Sequence, residues 1–196
     1  MHAAILILAA GSSSRMRGGD KLLEEVAGMP LLARITRAAL DTGLPVTVAL
    51  PPDRPARAGV LDGLAVTRVT VPDARVGMAE SVKAGLAAIP QGAGVMLLLA
   101  DLPELTAHDL QRMVAAWRAE PEAILRGAAA DGTAGHPVCF PPDLREELET
   151  LQGDEGARSV IVRHRARLSL VPLPDRHAVT DLDTPEDWAA WRAART

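Results

Sequence analysis

The sequence contains almost none of the residues that form disulfide frameworks, aromatic binding surfaces or membrane spans. Cys139 is the only cysteine among 196 residues, which excludes a disulfide framework and a zinc site built from cysteines. Tyrosine is absent and aromatic residues make up only 2% of the chain, so alanine, leucine, valine and isoleucine must form the core. No apolar stretch approaches the ~20 residues of a transmembrane helix, and the N-terminus lacks the basic region of a signal peptide. We therefore expect a cytoplasmic protein that does not associate with membranes.

The net charge of the chain is weakly negative. It is formally −4 and no basic block stands out, which argues against a nucleic-acid partner because such proteins need a basic face. A few focused cations are still enough to hold a phosphate group. With 48% hydrophobic and 23% charged residues, the composition is that of a globular protein. The length suits one domain over residues 1–196.

Apolar runs alternate with segments of helical periodicity along the chain. This alternation predicts an α/β domain with a mostly parallel sheet flanked by helices. In open sheets of this class, ligands bind beyond the carboxyl ends of the strands. Strands are predicted over residues 5–8, 46–50, 66–71 and 95–100, and helices over residues 30–40, 79–89 and 106–118.

The segment from Ile5 to Lys21 predicts a binding loop for phosphate groups. It joins an apolar, β-branched run to several small residues and then to two cations, Arg15 and Lys21. Small residues let the backbone approach a ligand, and successive N–H groups form a concavity that binds anions. The guanidinium of Arg15 and the ammonium of Lys21 both suit phosphate oxygens. The expected ligand is a polyphosphate.

Two common phosphate-binding motifs are excluded in this loop. A P-loop requires glycine before its lysine and serine or threonine after it, whereas Lys21 lies between Asp20 and Leu22. A dinucleotide-binding fingerprint requires the pattern G-x-G, whereas Gly11 is followed by two serines. The loop therefore belongs to another class.

Asp101 follows the most apolar of the predicted strands. A carboxylate at a strand end can bind a divalent cation, and Mg²⁺ favours one or two carboxylates together with phosphate oxygens and water. Asp101 can instead cap the turn or the helix that follows it. Because the loop after the first strand falls on the same edge of the predicted sheet, the cation is the favoured interpretation.

The signature L-A-A-G-x-S-x-R-M-x(4)-K, from Leu8 to Lys21, resembles the first motif of the MobA-like NTP transferases. In that family the loop holds the triphosphate of an NTP. The segments A-D-L-P-E-L, G-M-A-E-S, G-H-P-V-C-F and D-L-D-T-P-E-D resemble further motifs of the family. One departure is Arg17, which stands where the family usually has glycine. The resemblance extends from Leu8 to Trp188 and implies a single Rossmann-like nucleotidyltransferase domain.

The resemblance also implies roles for individual residues. Arg15 and Lys21 are implied to be catalytic. Asp101 and Asp183 are implied to bind Mg²⁺, with Asp181 as a weaker candidate for the second position. The residues implied to bind the substrates are Leu8, Ala9, Ala10, Gly11, Ser12, Ser14, Gly77 and Ser81 for the nucleotide, and His136 for the acceptor side.

Several of these positions also have a purely structural interpretation. Thr184 or Asp183 can cap a helix predicted over residues 186–195. His136 can be an ordinary structural histidine. Gly77 and Ser81 equally fit a plain helix start, and Cys139 is expected to be an inert core residue.

The segment G-D-E-G-A-R, residues 153–158, matches the molybdenum-cofactor branch of the family. Asp154 and Glu155 suit the start of a helix because the helix dipole favours negative charge there. Arg158 either reaches an anionic acceptor or lies in solvent.

The implied reaction transfers a nucleoside monophosphate from an NTP to a phosphorylated acceptor, with Mg²⁺ as the cofactor and pyrophosphate as the second product. The first motif reads L-A-A-G, as in the cytidylyltransferases of molybdenum cofactor, whereas guanylyltransferases typically carry L-A-G-G. We therefore expect CTP and molybdenum cofactor as substrates, with GTP as the alternative nucleotide. A non-catalytic chaperone that delivers the cofactor to a molybdenum hydroxylase is a second class of function. A molybdoenzyme or such a chaperone is the expected protein partner.

Overall fold

The computed structural model describes residues 2–153 and 156–195 of the chain. No helix within these residues has both the length and the apolarity needed to cross a membrane. The strands are β1 (Ala3–Leu8), β2 (Glu25–Val26), β3 (Met29–Pro30), β4 (Val46–Leu50), β5 (Thr67–Thr70), β6 (Gly94–Leu99), β7 (Ile124–Ala128), β8 (Ala134–Phe140) and β9 (Leu168–Pro172). The α-helices are α1 (Leu31–Leu40), α2 (Pro55–Gly59), α3 (Met78–Ala87), α4 (Ala107–Ala119), α5 (Arg145–Glu149), α6 (Arg158–Arg163) and α7 (Pro185–Ala193). Short 3₁₀ helices span Ser14–Met16, Lys21–Leu23, Pro142–Leu144 and Arg165–Arg167.

Seven of these strands form one sheet in the order β5-β4-β1-β6-β8-β7-β9, and β2 pairs with β3 in a separate antiparallel ribbon. The neighbours among β5, β4, β1 and β6 are parallel, and so are β7 and β9. Strand β8 alone runs antiparallel to both of its neighbours in the sheet. Six of the seven strands therefore run in one direction, which confirms the predicted mostly parallel sheet.

Alternate residues of β1 point to opposite faces of the sheet, and helices cover both faces. Ile5 and Ile7 pack into one cluster with α1, α4 and Trp188 of α7. Leu6 packs into a second cluster with α3, α5 and α6. Helix α3 lies very close to the sheet, because a Cβ atom at Gly85 would be 2.3 Å from Cδ1 of Leu6. Burial on both faces explains why these strands are continuously apolar.

Two of the longer helices begin at threonines that form capping boxes. The hydroxyl of Thr106 accepts a hydrogen bond from the N–H of Asp109, whose carboxylate accepts one from the N–H of Thr106. Thr184 and Asp187 form the same arrangement at the start of α7. Thr106 is thus confirmed as a cap, and Thr184 rather than Asp183 caps the last helix.

Helix α7 carries two of the three tryptophans of the chain. The rings of Trp188 and Trp191 meet edge to face with their centroids 5.9 Å apart. The guanidinium of Arg192 lies 5.0 Å from the Trp188 ring, and that of Arg195 lies 4.1 Å from the Trp191 ring. Trp117 is buried elsewhere, beside the first residue of β6.

Candidate functional site

The loops that follow β1 and β6 begin side by side at one edge of the sheet. Leu8 pairs with Leu99 in parallel register, so Asp101 leaves the sheet next to the loop after β1. A cavity of about 1010 Å³ opens at this edge. Its walls also include residues 51–54 after β4 and residues 72–76 after β5. The carboxyl ends of four adjacent strands thus surround the cavity, as expected for an open α/β sheet.

Most of the residues expected to bind a nucleotide line this cavity. Ala9 is instead buried in the core. Arg15, His136 and Asp183 are not among the lining residues, although Asp183 adjoins the cavity through Lys21 and Arg15 through Asp183. The expected residues in the lining are Leu8, Ala10, Gly11, Ser12, Ser14, Lys21, Gly77, Ser81 and Asp101.

Lys21 brings together two carboxylates that are far apart in sequence. Its Nζ donates to Oδ2 of Asp101 at 2.6 Å and to Oδ1 of Asp183 at 2.6 Å. Burial lowers the pKa of Lys21, but the charge of Asp101 and the contact with Asp183 outweigh burial, so this pKa is raised. The hydrogen bond from Lys21 lowers the pKa of Asp183. The cluster therefore holds an ammonium beside the ionised carboxylate of Asp183 at neutral pH.

The helix caps leave both carboxylates free for this cluster. Thr106 caps α4 and Thr184 caps α7, so neither Asp101 nor Asp183 uses its carboxylate to start a helix. Asp181, the weaker candidate, is exposed. The structural alternatives considered for Asp101 and Asp183 are therefore not the ones observed.

Arg15 closes the cluster on its solvent side. Its guanidinium donates to Oδ2 of Asp183, and its side chain is 69% exposed. Arg17, in the same turn, pairs with Glu186 at 2.8 Å. Two exposed ion pairs thus join the loop after β1 to the start of α7. Exposed pairs of this kind contribute little to stability, so they can exchange partners readily.

The surroundings of Asp101 fit a divalent cation. Its Oδ1 is buried and has no hydrogen-bond partner among the described residues. Its Oδ2 and the Oδ1 of Asp183 converge on the single positive charge of Lys21. Two carboxylates completed by phosphate oxygens and water are a ligand set that Mg²⁺ favours. Within residues 2–153 and 156–195, no group of three or more His, Cys, Asp or Glu side chains offers an all-protein metal site.

Two arginines that belong to none of the sequence motifs, Arg54 and Arg57, hold the loop after β1. Arg57 of α2 is fully buried, and both Arg57 and Arg54 donate to the carboxylate of Asp20, which precedes Lys21. Burial raises the pKa of Asp20, but the hydrogen bond and charge of Arg57 outweigh it, so this pKa is lowered. Asp20 is visible in the sequence beside Lys21, but nothing in the sequence links it to α2.

Strand β8 brings His136 to the same edge of the sheet from the opposite direction. Burial, assisted by the charge of Arg126, lowers the pKa of His136 to about 4, so its imidazole is neutral at pH 7. The Nδ1 of His136 is buried without a partner in the described part of the chain. The guanidinium of Arg126 donates to the carbonyl of Gly135 at 2.8 Å. Cys139 is fully buried in the same strand, as expected of a core residue.

The segment G-D-E-G-A-R is described only in part. Asp154 and Glu155, expected at a helix start, lie outside the described residues. Gly153 accepts a hydrogen bond from the N–H of Ala79 at 3.1 Å, which joins the segment to the start of α3. Arg158 begins α6 and is exposed.

Comparison with known proteins agrees with this geometry. Residues 5–168 match the MobA-like NTP transferase domain family. The molybdenum cofactor guanylyltransferase of Bradyrhizobium sp. (strain ORS 278) is 31% identical over 193 residues, covering 94% of this chain and 89% of that protein. The bifunctional protein GlmU of Ruegeria pomeroyi is 34% identical over 165 residues, covering 82% of this chain. The chain spans only 37% of that protein and 32% of the GlmU of Clavibacter sepedonicus.

Among solved structures, Rv0371c from Mycobacterium tuberculosis H37Rv superposes with a TM-score of 0.84 at 25% identity, over 100% of this chain and 99% of that one. The superposition and the sheet described above show a Rossmann-like fold. With a family match that covers most of the sequence, the chain belongs to the MobA-like NTP transferase domain family.

Proposed function

We propose that this chain is a nucleotidyltransferase that moves a nucleoside monophosphate from an NTP to a phosphorylated acceptor and releases pyrophosphate. The observation that carries this proposal is the meeting of Lys21, Asp101 and Asp183 at the edge of the cavity. Phosphoryl transfer depends mainly on positioning and charge neutralisation. A half-buried ammonium between two carboxylates, beside a loop of small residues, supplies both requirements in one place.

The loop after β1 would bind the triphosphate through its backbone, because its small residues leave the N–H groups accessible. Lys21 would exchange its carboxylate partners for phosphate oxygens when the nucleotide binds. Arg15 would approach the same phosphates from the solvent side, since its exposed guanidinium pairs with Oδ2 of Asp183. Both cations would then stabilise the negative charge that develops in the transition state.

Asp101 and Asp183 would hold Mg²⁺, which when bound neutralises charge on the phosphates and on the leaving pyrophosphate. The acceptor needs no strong general base, because a phosphate monoester with a second pKa of about 6 is already largely ionised at pH 7. One of its oxygens forms the new bond to the α-phosphorus as the bond to pyrophosphate breaks. The neutral His136 can donate or accept a hydrogen bond on the acceptor side without adding charge.

We infer that CTP and molybdenum cofactor are the substrates. The L-A-A-G motif at Leu8–Gly11 supports CTP, and the similarity to a protein named molybdenum cofactor guanylyltransferase supports the acceptor. In this structure Ala10 lines the cavity and is buried, so its methyl group takes up space at the wall of the nucleotide pocket.

GTP is the second candidate nucleotide, and the name of the Bradyrhizobium relative favours it. A molybdoenzyme, or a chaperone acting for it, would be the protein that receives the product. A purely cofactor-delivering role for this chain is less well supported, because such a protein has no need of the Lys21, Asp101 and Asp183 cluster.

Pyrophosphate release tests these alternatives in one experiment. Each of CTP, GTP, ATP and UTP is supplied with Mg²⁺, with and without molybdenum cofactor. We expect release that requires the cofactor and is fastest with CTP. A GTP preference would assign the guanylyl reaction, whereas tight cofactor binding without release from any nucleotide would support the delivery role.

A further inference from the structure

The buried guanidinium of Arg57 binds the loop after β1 at both of its ends. Its Nη1 donates to the carbonyls of Ala9 at 2.6 Å and Gly11 at 2.8 Å. Its Nη2 donates to Oγ of Ser13 at 2.9 Å and to Oδ1 of Asp20 at 2.8 Å, and its Nε donates to Oδ2 of Asp20 at 2.8 Å. The side chain is 0% exposed. The planar fork of an arginine suits such a set of fixed acceptors.

These contacts orient the peptide groups of the loop. In a trans peptide the C=O and the following N–H point in opposite directions. Because the carbonyls of Ala9 and Gly11 face Arg57, the N–H groups of Ala10 and Ser12 face away from it. Ala10 and Ser12 line the cavity, whereas Arg57 does not.

The N–H groups at the start of the loop have no acceptor in the part of the chain that the structure describes. Among residues 2–153 and 156–195, no acceptor takes a hydrogen bond from the backbone N–H of Ala10, Gly11, Ser12 or Ser13. Ala10 and Ser13 are buried, and an unpaired buried N–H group is costly unless a ligand or water satisfies it. Of these donors, those of Ala10, Gly11 and Ser12 belong to residues that line the cavity, and successive N–H groups of this kind suit an anion.

We propose that Arg57 is a positioning residue for the triphosphate: it draws the carbonyls of Ala9 and Gly11 away from the cavity so that the N–H groups of Ala10 and Ser12 are presented to the phosphates. The inference rests on the proposed function, because it assumes that the ligand of the loop is a polyphosphate. The carboxylate of Asp20 neutralises the charge of Arg57. The same ion pair fixes the backbone position of Asp20, immediately before Lys21. Without this arrangement, carbonyl dipoles could turn toward the phosphates and repel them.

A second buried arginine provides a matched control. Arg145 of α5 is 5% exposed and donates to the carbonyls of Leu86, Ile89 and Pro90, near the end of α3. It resembles Arg57 in burial and in binding backbone carbonyls, but none of its partners lines the cavity. A substitution there has the structural cost of disturbing a buried arginine without touching the loop.

The test is calorimetric titration of the folded protein with inorganic tripolyphosphate and, separately, with CTP and Mg²⁺. Arg57→Lys keeps the charge but cannot reach all the acceptors with one ammonium, and Asp20→Asn keeps the shape but removes the neutralising charge. We expect each to weaken tripolyphosphate binding roughly 10- to 100-fold. The KM for the nucleotide should rise similarly, while kcat at saturation changes far less. Arg145→Lys should leave the affinity unchanged.

Wild-type affinity in Arg57→Lys, or an equal loss of affinity in Arg145→Lys, would overturn the inference. If Arg57→Lys does not fold, the Asp20→Asn variant provides the test. Wild-type affinity of Asp20→Asn for tripolyphosphate would overturn the proposal, and a loss of that affinity would support it. Failure of the wild-type protein to bind tripolyphosphate would be a different result, because it would contradict the triphosphate site itself.

Discussion

The half of the sheet formed by β5, β4, β1 and β6 contributes to the site differently from the half formed by β8, β7 and β9. In the first half, all the strands are parallel and the loops after their carboxyl ends line the cavity. In the second half, β8 is reversed, so its amino end, with His136, reaches the same edge. Asp183 arrives there from the segment that follows β9.

The two halves meet at Lys21, whose ammonium joins Asp101 from the first half to Asp183 from the second. Within the second half, the segment after β9 packs tightly against β8, because a Cβ atom at Gly135 would lie 1.9 Å from the carbonyl oxygen of Ala178. We interpret the first half as the nucleotide side and the second as the acceptor side. Substitutions in the first half should therefore change the KM or affinity for the NTP, whereas substitutions in the second half should not.

The largest loss of activity is expected from a substitution at Asp101, where the two halves of the sheet meet. Asp101→Asn keeps the shape of the side chain but removes a charge from the proposed cation site, so kcat should fall roughly 100-fold. Folding should be nearly unaffected, which thermal unfolding would check. Asp181→Asn is the matched control, because this carboxylate, two residues before Asp183, is exposed, and the substitution should leave turnover unchanged. Near-normal turnover of Asp101→Asn at saturating Mg²⁺ would contradict the assignment.

A smaller effect is expected within the nucleotide side alone. Lys21→Ala should raise the KM for the NTP by roughly 10- to 100-fold, since a hydrogen bond to a charged group contributes about 1.5–3 kcal/mol. Arg15→Ala should raise it less, because Arg15 is 69% exposed. Lys21→Arg should restore the KM for the NTP only in part, because the two cations differ in shape. Steady-state kinetics would measure all three, with Arg17→Ala as a control from the same turn. Equal KM values for the wild type and Lys21→Ala would exclude the loop as a triphosphate site.

The acceptor side should show its own pH dependence. The pKa of His136 is lowered from 6.5 to about 4, chiefly by burial, so below pH 6.5 the unfolded chain binds a proton that the folded protein does not. The stability contributed by this group is complete above pH 6.5 and is lost as the pH falls toward 4, by at most about 3 kcal/mol. Denaturant unfolding should therefore show a steeper loss for the wild type than for His136→Gln. If the free energy of unfolding fell with pH equally in the wild type and in His136→Gln, the prediction would be contradicted. The NTP affinity should be the same in both proteins.

The smallest effect is expected at the wall of the nucleotide pocket. Ala10→Gly removes one methyl group, and a difference of that size in a hydrophobic pocket changes substrate discrimination by roughly 10- to 200-fold. Because this pocket is also lined by polar residues such as Ser12 and Ser14, we expect the lower end of that range. We expect the ratio of kcat/KM for CTP over GTP to fall without reversing. An unchanged ratio would show that other positions alone select the base.

The first half of the sheet was more predictable from the sequence than the second. Strands β1, β4 and β6 are buried on both faces, so their apolar runs are unmistakable, and the prediction of helices α1, α3 and α4 is confirmed. Strand β9 is a short edge strand with mostly half-exposed residues, and it was not predicted. The reversal of β8 was not predicted either, because residue type does not encode strand direction.

The residues of the candidate site also differ in how far the sequence alone predicts their positions. Asp101 and the loop after β1 were placed on one edge because both follow strands of a parallel sheet. Asp183 was identified only through the resemblance of its motif, since its position depends on the fold of the segment between β9 and α7. Arg57 was missed because its partners lie 37 to 48 residues away in the sequence and no local pattern marks such contacts.

The scarcity of aromatic residues gives the molecule a simple optical signal. Because tyrosine is absent, three indoles produce essentially all of its ultraviolet fluorescence. Two of them, Trp188 and Trp191, lie on the helix that begins directly after Asp183 and Thr184, whereas Trp117 is enclosed beside the start of β6. In a Trp117→Phe variant, the intrinsic tryptophan fluorescence would come from α7 alone. Ligand binding at the adjoining carboxylates could then be followed as a change in that fluorescence in rapid-mixing experiments.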